Sequence, residues 1–153
     1  MRIVVLGIVG RTPLAGVAWQ ALHYLEGFRR LGHEVHYVED TRAWPYDPVQ
    51  AAPTPRCDDT VAYLARVMQR FGFGERWAYR GPALRDELSG LSHGTLRRVF
   101  RDADVAVDVT GSTPLRDEHR TVPARILVET DTHHFTFGAN VGAPDCPLPP
   151  AGS

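Results

Sequence analysis

Residues 3–6, Ile-Val-Val-Leu, are apolar at four successive positions, the pattern of a short strand covered on both faces. Gly7 and Gly10 then open a loop, and from about residue 17 the apolar positions change period. Ala18, Leu22, Leu25, Phe28 and Leu31 recur at spacings of three and four, which predicts a helix over 17–31 with one buried face. Arg29 and Arg30 fall in its last turn, where cations complement the carbonyl end of a helix. Gly32 follows, the residue type that best tolerates a left-handed stop. Residues 34–38 predict a second strand, with Glu39 and Asp40 at its carboxyl end. A β-α-β unit of this length is right-handed and parallel, and its ligand crevice lies beyond the carboxyl ends of the strands. Loop 10–16 and the Glu39-Asp40 pair are therefore expected on one rim.

Further along, residues 41–56 hold Trp44-Pro45-Tyr46-Asp47-Pro48 and two more prolines, which predicts a long irregular loop of the kind often used for function. Asp58 or Asp59 is expected to cap a second helix running to about Phe71, with Val61, Leu64, Ala65 and Met68 on one face. Trp77 to Arg80 fits either a short strand or a packed loop. Residues 92–101 predict a helix with Leu96, Val99 and Phe100 inward. A third strand follows over 104–109, leading into Thr110-Gly111-Ser112, and a fourth over 124–129, ending in Glu129-Thr130-Asp131. After Gly138 the chain turns to Gly, Pro and Ala, a linker composition. The pattern predicts an α/β fold: an open, mostly parallel Rossmann-like sheet flanked by helices over 1–137, then a Pro/Gly-rich tail or the start of an interdomain linker over 138–153.

Composition removes several function classes. Among 153 residues, 17 basic side chains face 18 acidic ones, and every basic residue is Arg. A chain so close to neutral, without a basic stripe, is not an electrostatic nucleic-acid binder. The absence of Lys removes P-loop and Schiff-base chemistry. Cys57 and Cys146 stand far apart in no metal-ligand spacing and fit free thiols in a reducing compartment. No apolar run approaches the roughly 20 residues of a membrane span, and no signal peptide is evident. A soluble, cytoplasmic protein is the expectation.

Glycines at 7, 10 and 16 lie three and then six apart, whereas a dinucleotide fingerprint needs gaps of two and then three. The loop nonetheless supplies candidate substrate contacts in Gly10, Arg11, Thr12 and Gly16, with Arg11 a planar charged donor or else a solvated surface residue. Glu39 and Asp40 have the chemistry to hold a ribose. Thr110, Gly111 and Ser112 suit sugar hydroxyls or phosphate oxygens, or else cap a helix. Asp131, His133 and His134 form the richest local cluster, suited to a general base, to part of a metal site, or to a structural role. No metal site is expected from one such cluster. Trp44, with Tyr46, is the least core-like aromatic and a candidate stacking surface.

Taken in order, the strand, glycine loop, helix, Leu31-Gly32-His33-Glu34-Val35 and a strand ending Tyr37-Val38-Glu39-Asp40 resemble the N-terminal half of bacterial GT-B-type glycosyltransferases. Asp104-Val105-Ala106-Val107-Asp108-Val109-Thr110-Gly111 is similar to that fold's strand entering the interdomain cleft. The resemblance implies a domain that binds a small-molecule acceptor. A nucleotide-sugar donor would bind a C-terminal domain or partner subunit beyond it, so this half would carry no cofactor and be silent alone. Such enzymes often place a His or Asp base in the loop after the first strand. Here that loop offers Arg11 and Thr12, so Asp131, His133 or His134 is the expected substitute. Two other readings stand beside it: a stand-alone nucleotide- or cofactor-binding α/β protein, and a non-enzymatic interaction domain docking through the loop around Trp44.

Overall fold

The computed structural model of the chain describes residues 1–81 and 88–128. β1 (Arg2–Leu6), α1 (Ala15–Arg30) and β2 (Glu34–Glu39) form the opening unit, and a small hairpin of β3 (Tyr46–Asp47) and β4 (Ala52–Pro53) follows. Next come α2 (Asp58–Arg70), β5 (Trp77–Arg80), β6 (Leu88–Gly90), α3 (His93–Asp102), β7 (Val105–Val109), α4 (Asp117–Arg120) and β8 (Ala124–Val128). Six strands make one sheet in the order β6-β5-β2-β1-β7-β8. Within it β6 runs antiparallel to β5, while β5, β2, β1, β7 and β8 pair in parallel. The mostly parallel α/β architecture expected from the strand pattern is the one observed.

Both faces of the sheet are covered, as apolar strands without alternation require. Ile3, Val5, Tyr37, Tyr79 and Val107 point to the side on which α1 and α2 pack Leu22, Leu25, Leu64 and Met68. Val4, Leu6, Val38, Ala78 and Ala106 point to the other, where α3 supplies Leu96 and Phe100. Ser92 caps α3 by accepting the Thr95 backbone N–H at 3.2 Å. Among the described residues no helix is long and apolar enough to cross a membrane.

Several elements differ from expectation. Helix α1 begins at Ala15, and Cys57 rather than Asp58 or Asp59 precedes α2, so both acids lie inside its first turn and favour the helix through its dipole. The 41–56 stretch is not wholly irregular, because Asp47 Oδ1 accepts the N–H groups of Val49 (2.8 Å) and Gln50 (3.2 Å) and turns the chain into a hairpin. Trp77 to Arg80 is a buried strand. Strand β6 and helix α4, at three and four residues, are too short to leave a periodic signal. Strand β8 has the composition of an interior strand, yet Ile126 and Leu127, on opposite faces, are half exposed at the edge of the described sheet.

At the other edge, Gly90 has φ +83°, and a Cβ there would sit 2.3 Å from the Trp77 carbonyl oxygen. Gly90→Ala should therefore cost about 2–4 kcal/mol by combining left-handed strain with a backbone clash. Urea denaturation reads that cost, and a variant as stable as the parent would refute the β5–β6 register.

Candidate functional site

The chain leaves β1 for β2, β5 and β6 on one side, then crosses back to β7 on the other side of β1. Strand order thus reverses between β1 and β7, and open α/β sheets bind ligands outside the carboxyl ends of the strands at such a point. Two loops border that crevice: residues 7–14 between β1 and α1, and residues 110–116 between β7 and α4.

Glu39, at the end of β2, fixes the first loop. Its carboxylate accepts the backbone N–H of Gly10 at 2.7 Å, that of Arg11, and the Tyr37 hydroxyl at 2.8 Å. The Tyr37 oxygen in turn accepts the Val9 N–H at 2.9 Å. Three successive amides are therefore bound to one buried internal pair. The glycines serve that packing. A Cβ at Gly7 would lie 2.9 Å from the Tyr37 ring, and one at Gly10 would lie 2.9 Å from Thr60 Cγ2 and 3.3 Å from the Glu39 carboxylate. Burial raises the Glu39 pKa to about 7 against the three donors that favour the charged form, and it also raises that of Tyr37.

Asp40, the next residue, points to the opposite face and fixes the second loop. It is buried and takes Arg80 Nη1 at 2.9 Å from β5, together with Arg116 through Nε and, at 3.0 Å, Nη2. Arg80 Nη1 also lies 2.9 Å from Glu118 Oε1, paired by charge rather than by an aligned hydrogen bond. Two guanidiniums thus face two carboxylates, and the group stays near neutral in the interior. His119 closes the cluster. It is fully buried against Phe100, with ring centroids 4.6 Å apart, and its Nδ1 accepts the Arg116 N–H at 3.2 Å. Burial lowers the His119 pKa, so the ring is neutral with its proton on Nε2.

Glu39 and Asp40 share the rim with loop 10–16, but neither carboxylate presents itself to a ligand, because protein donors already occupy both. Arg11 and Thr12 are half-buried beside the crevice, while Gly16 lies exposed in the first turn of α1 with open space about it. Thr110 and Ser112 are half-buried, Gly111 is exposed, and the Thr110 hydroxyl donates to Ser112 Oγ at 3.1 Å. These residues do not cap α4, whose N-cap is Arg116. Trp44 is 54% exposed. Tyr46 is tied to the first loop through its N–H to the Arg11 carbonyl at 2.7 Å, and with Pro13 and Tyr63 it lines a cleft of about 280 Å³. Asp131, His133 and His134 lie outside the described residues, as do Cys146 and the 138–153 tail.

Residues that the sequence pattern did not single out complete the site: Tyr37, Arg80, Arg116 and His119. Tyr37 and Arg80 sit in apolar strands where a polar atom was the available signal, whereas nothing local marks Arg116 or His119. Among the described residues no group of three or more His, Cys, Asp or Glu side chains is placed to hold a metal ion. No protein-family model, no curated protein and no solved structure matches the chain.

Two outcomes test the rim. Removing Asp40 leaves the buried Arg80 with one carboxylate, Glu118, in place of two, so Asp40→Ala should lose about 3 kcal/mol in urea denaturation. Glu39 retains its proton to higher pH in the native chain than in the unfolded one. Its contribution to stability is therefore present below pH 4.5 and lost as pH rises to about 7. The parent should lose about 2–3 kcal/mol more than Glu39→Gln across that window. Parallel slopes for the two proteins would contradict this assignment.

Proposed function

We propose that the chain is the acceptor-binding, Rossmann-like half of a glycosyltransferase-like protein, with the nucleotide-sugar donor held by a C-terminal domain or partner subunit. The observation that carries this reading is the capture of the Gly10 and Arg11 amides by Glu39. In a nucleotide-binding loop those amides would face a pyrophosphate. Here they are spent internally, and a fully buried Glu39 does not reach a ribose, which argues against a dinucleotide in this domain. What remains at the crevice is Arg11, Thr12, Thr110 and Ser112, a guanidinium and three hydroxyls suited to a neutral, hydroxyl-bearing acceptor. In a complete enzyme the acceptor hydroxyl would lose its proton to a base as it attacks the sugar, and Asp131, His133 and His134 remain the proposed residues for that step.

Exposure of Trp44 gives the interaction-domain reading its one support, because a half-exposed indole in a proline-bounded loop is also a protein contact. Calorimetric titration separates the readings. UDP, NAD and FAD should give no saturable heat at micromolar concentrations, whereas a panel of phenols and sugars should include binders that Arg11→Ala weakens about tenfold. Micromolar binding of NAD or FAD would overturn the proposal.

A further inference from the structure

The cleft beside the first loop has a chemistry of its own. Pro13, Tyr46, Pro48, Val49, Thr60 and Tyr63 border its space of about 280 Å³, between the β1–α1 loop, the β3–β4 hairpin and α2. None of Arg11, Thr12, Thr110 or Ser112 lines it, so its side chains are not those of the crevice. Backbone hydrogen bonds hold the hairpin wall in place. The Tyr46 N–H donates to the Arg11 carbonyl at 2.7 Å, the Thr54 N–H donates to the Pro45 carbonyl at 2.8 Å, and Asp47 Oδ1 pins the turn at Val49.

Its walls are mostly apolar. Tyr46 and Tyr63 are half-buried and border the same space, yet their rings make no contact with each other. Val49 is 92% exposed, apolar surface that a ligand in the cleft would cover. Thr60 supplies the buried polar group. It is 5% exposed, its methyl faces Gly10, and its hydroxyl has no hydrogen-bond partner among the described residues. Buried hydroxyls are nearly always paired, and the cleft is the side from which a partner can reach this one. Arg56 stands against Asp47 and Asp59 along the lining, and Asp47 is already engaged by two amides, so no one sign of charge rules the cleft. An apolar hollow with one placed polar atom is the usual form of a small-molecule site. About 150 Å³ of apolar cavity is enough for benzene, so this one admits one or two fused rings. We infer that the cleft is a second binding site, for an uncharged planar aromatic molecule that carries a hydroxyl group. The ring lies between Tyr46 and Tyr63, where aromatic faces and edges can meet it, and its hydroxyl pairs with Thr60 Oγ1. Nothing in this site draws on the acceptor proposed for the crevice.

Three probes, 2-naphthol, benzene and cyclohexanol, test the site through the backbone amide resonances of the full chain. 2-Naphthol should shift Tyr46, Thr60 and Tyr63 saturably. Cyclohexanol has the hydroxyl without the flat ring and should bind at least tenfold more weakly. Thr60→Val keeps the shape of the side chain and removes its oxygen, so it should weaken 2-naphthol about fivefold and leave benzene unchanged. Tyr63→Ala should weaken both aromatic probes at least tenfold. Arg11→Ala should leave 2-naphthol within twofold, because Arg11 lends the cleft only its carbonyl. No saturable shift, equal affinity for 2-naphthol and cyclohexanol, or an unchanged 2-naphthol affinity in Thr60→Val overturns the site. Shifts centred on Gly111 and Ser112, with a tenfold loss in Arg11→Ala, would put 2-naphthol in the crevice, overturning the cleft site while supporting the acceptor reading.

Discussion

Two adjacent carboxylates at the end of β2 hold the rim of this protein together. Successive side chains of a strand point to opposite faces, so Glu39 and Asp40 part company at once. One ties the β1–α1 loop on the α1 and α2 side, and the other ties the β7–α4 connection on the α3 side. The crevice above β1 is the gap that these two ties leave.

The two ties solve the problem of buried charge differently. Asp40 is matched by guanidiniums, whose planar donors suit a carboxylate, and the Glu118 charge balances the second cation. Glu39 has no cation in direct contact among its hydrogen-bond partners; it rests on two amides and a phenol, and its proton is held to about pH 7. The first loop is in this sense an anion-binding turn filled by its own chain. Gly7 and Gly10 accordingly clear Tyr37, Thr60 and Glu39 rather than a pyrophosphate.

Much of the scaffold was legible in the sequence, because the apolar runs at 3–6, 34–38 and 104–109 and the periodic stretches at 17–31 and 58–71 are long enough to carry a signal. The joint placement of Gly10, Arg11, Glu39 and Asp40 on one rim followed from β-α-β handedness alone. What the pattern could not show is what those acids bind. Arg80 reads as the polar end of an ambiguous strand, and Arg116 lies 76 residues from the Asp40 it grips, in a stretch with no periodicity. Long-range polar pairing leaves no local trace, so a residue suited to a ribose by chemistry is a tether by geometry. The short elements β6 and α4 were illegible for a related reason, since they exist through contacts with β5 and α3 rather than through their own composition.

The spacing of the two ties along the chain also has a kinetic side. Glu39 meets Gly10 across 29 residues, within one β-α-β unit, whereas Asp40 meets Arg116 across 76. Loop-closure entropy alone makes the second about 1 kcal/mol costlier, and the longer closure also requires β7 to have found its place beside β1. Loop closure therefore favours formation of the β1–α1 bank over that of the opposite one.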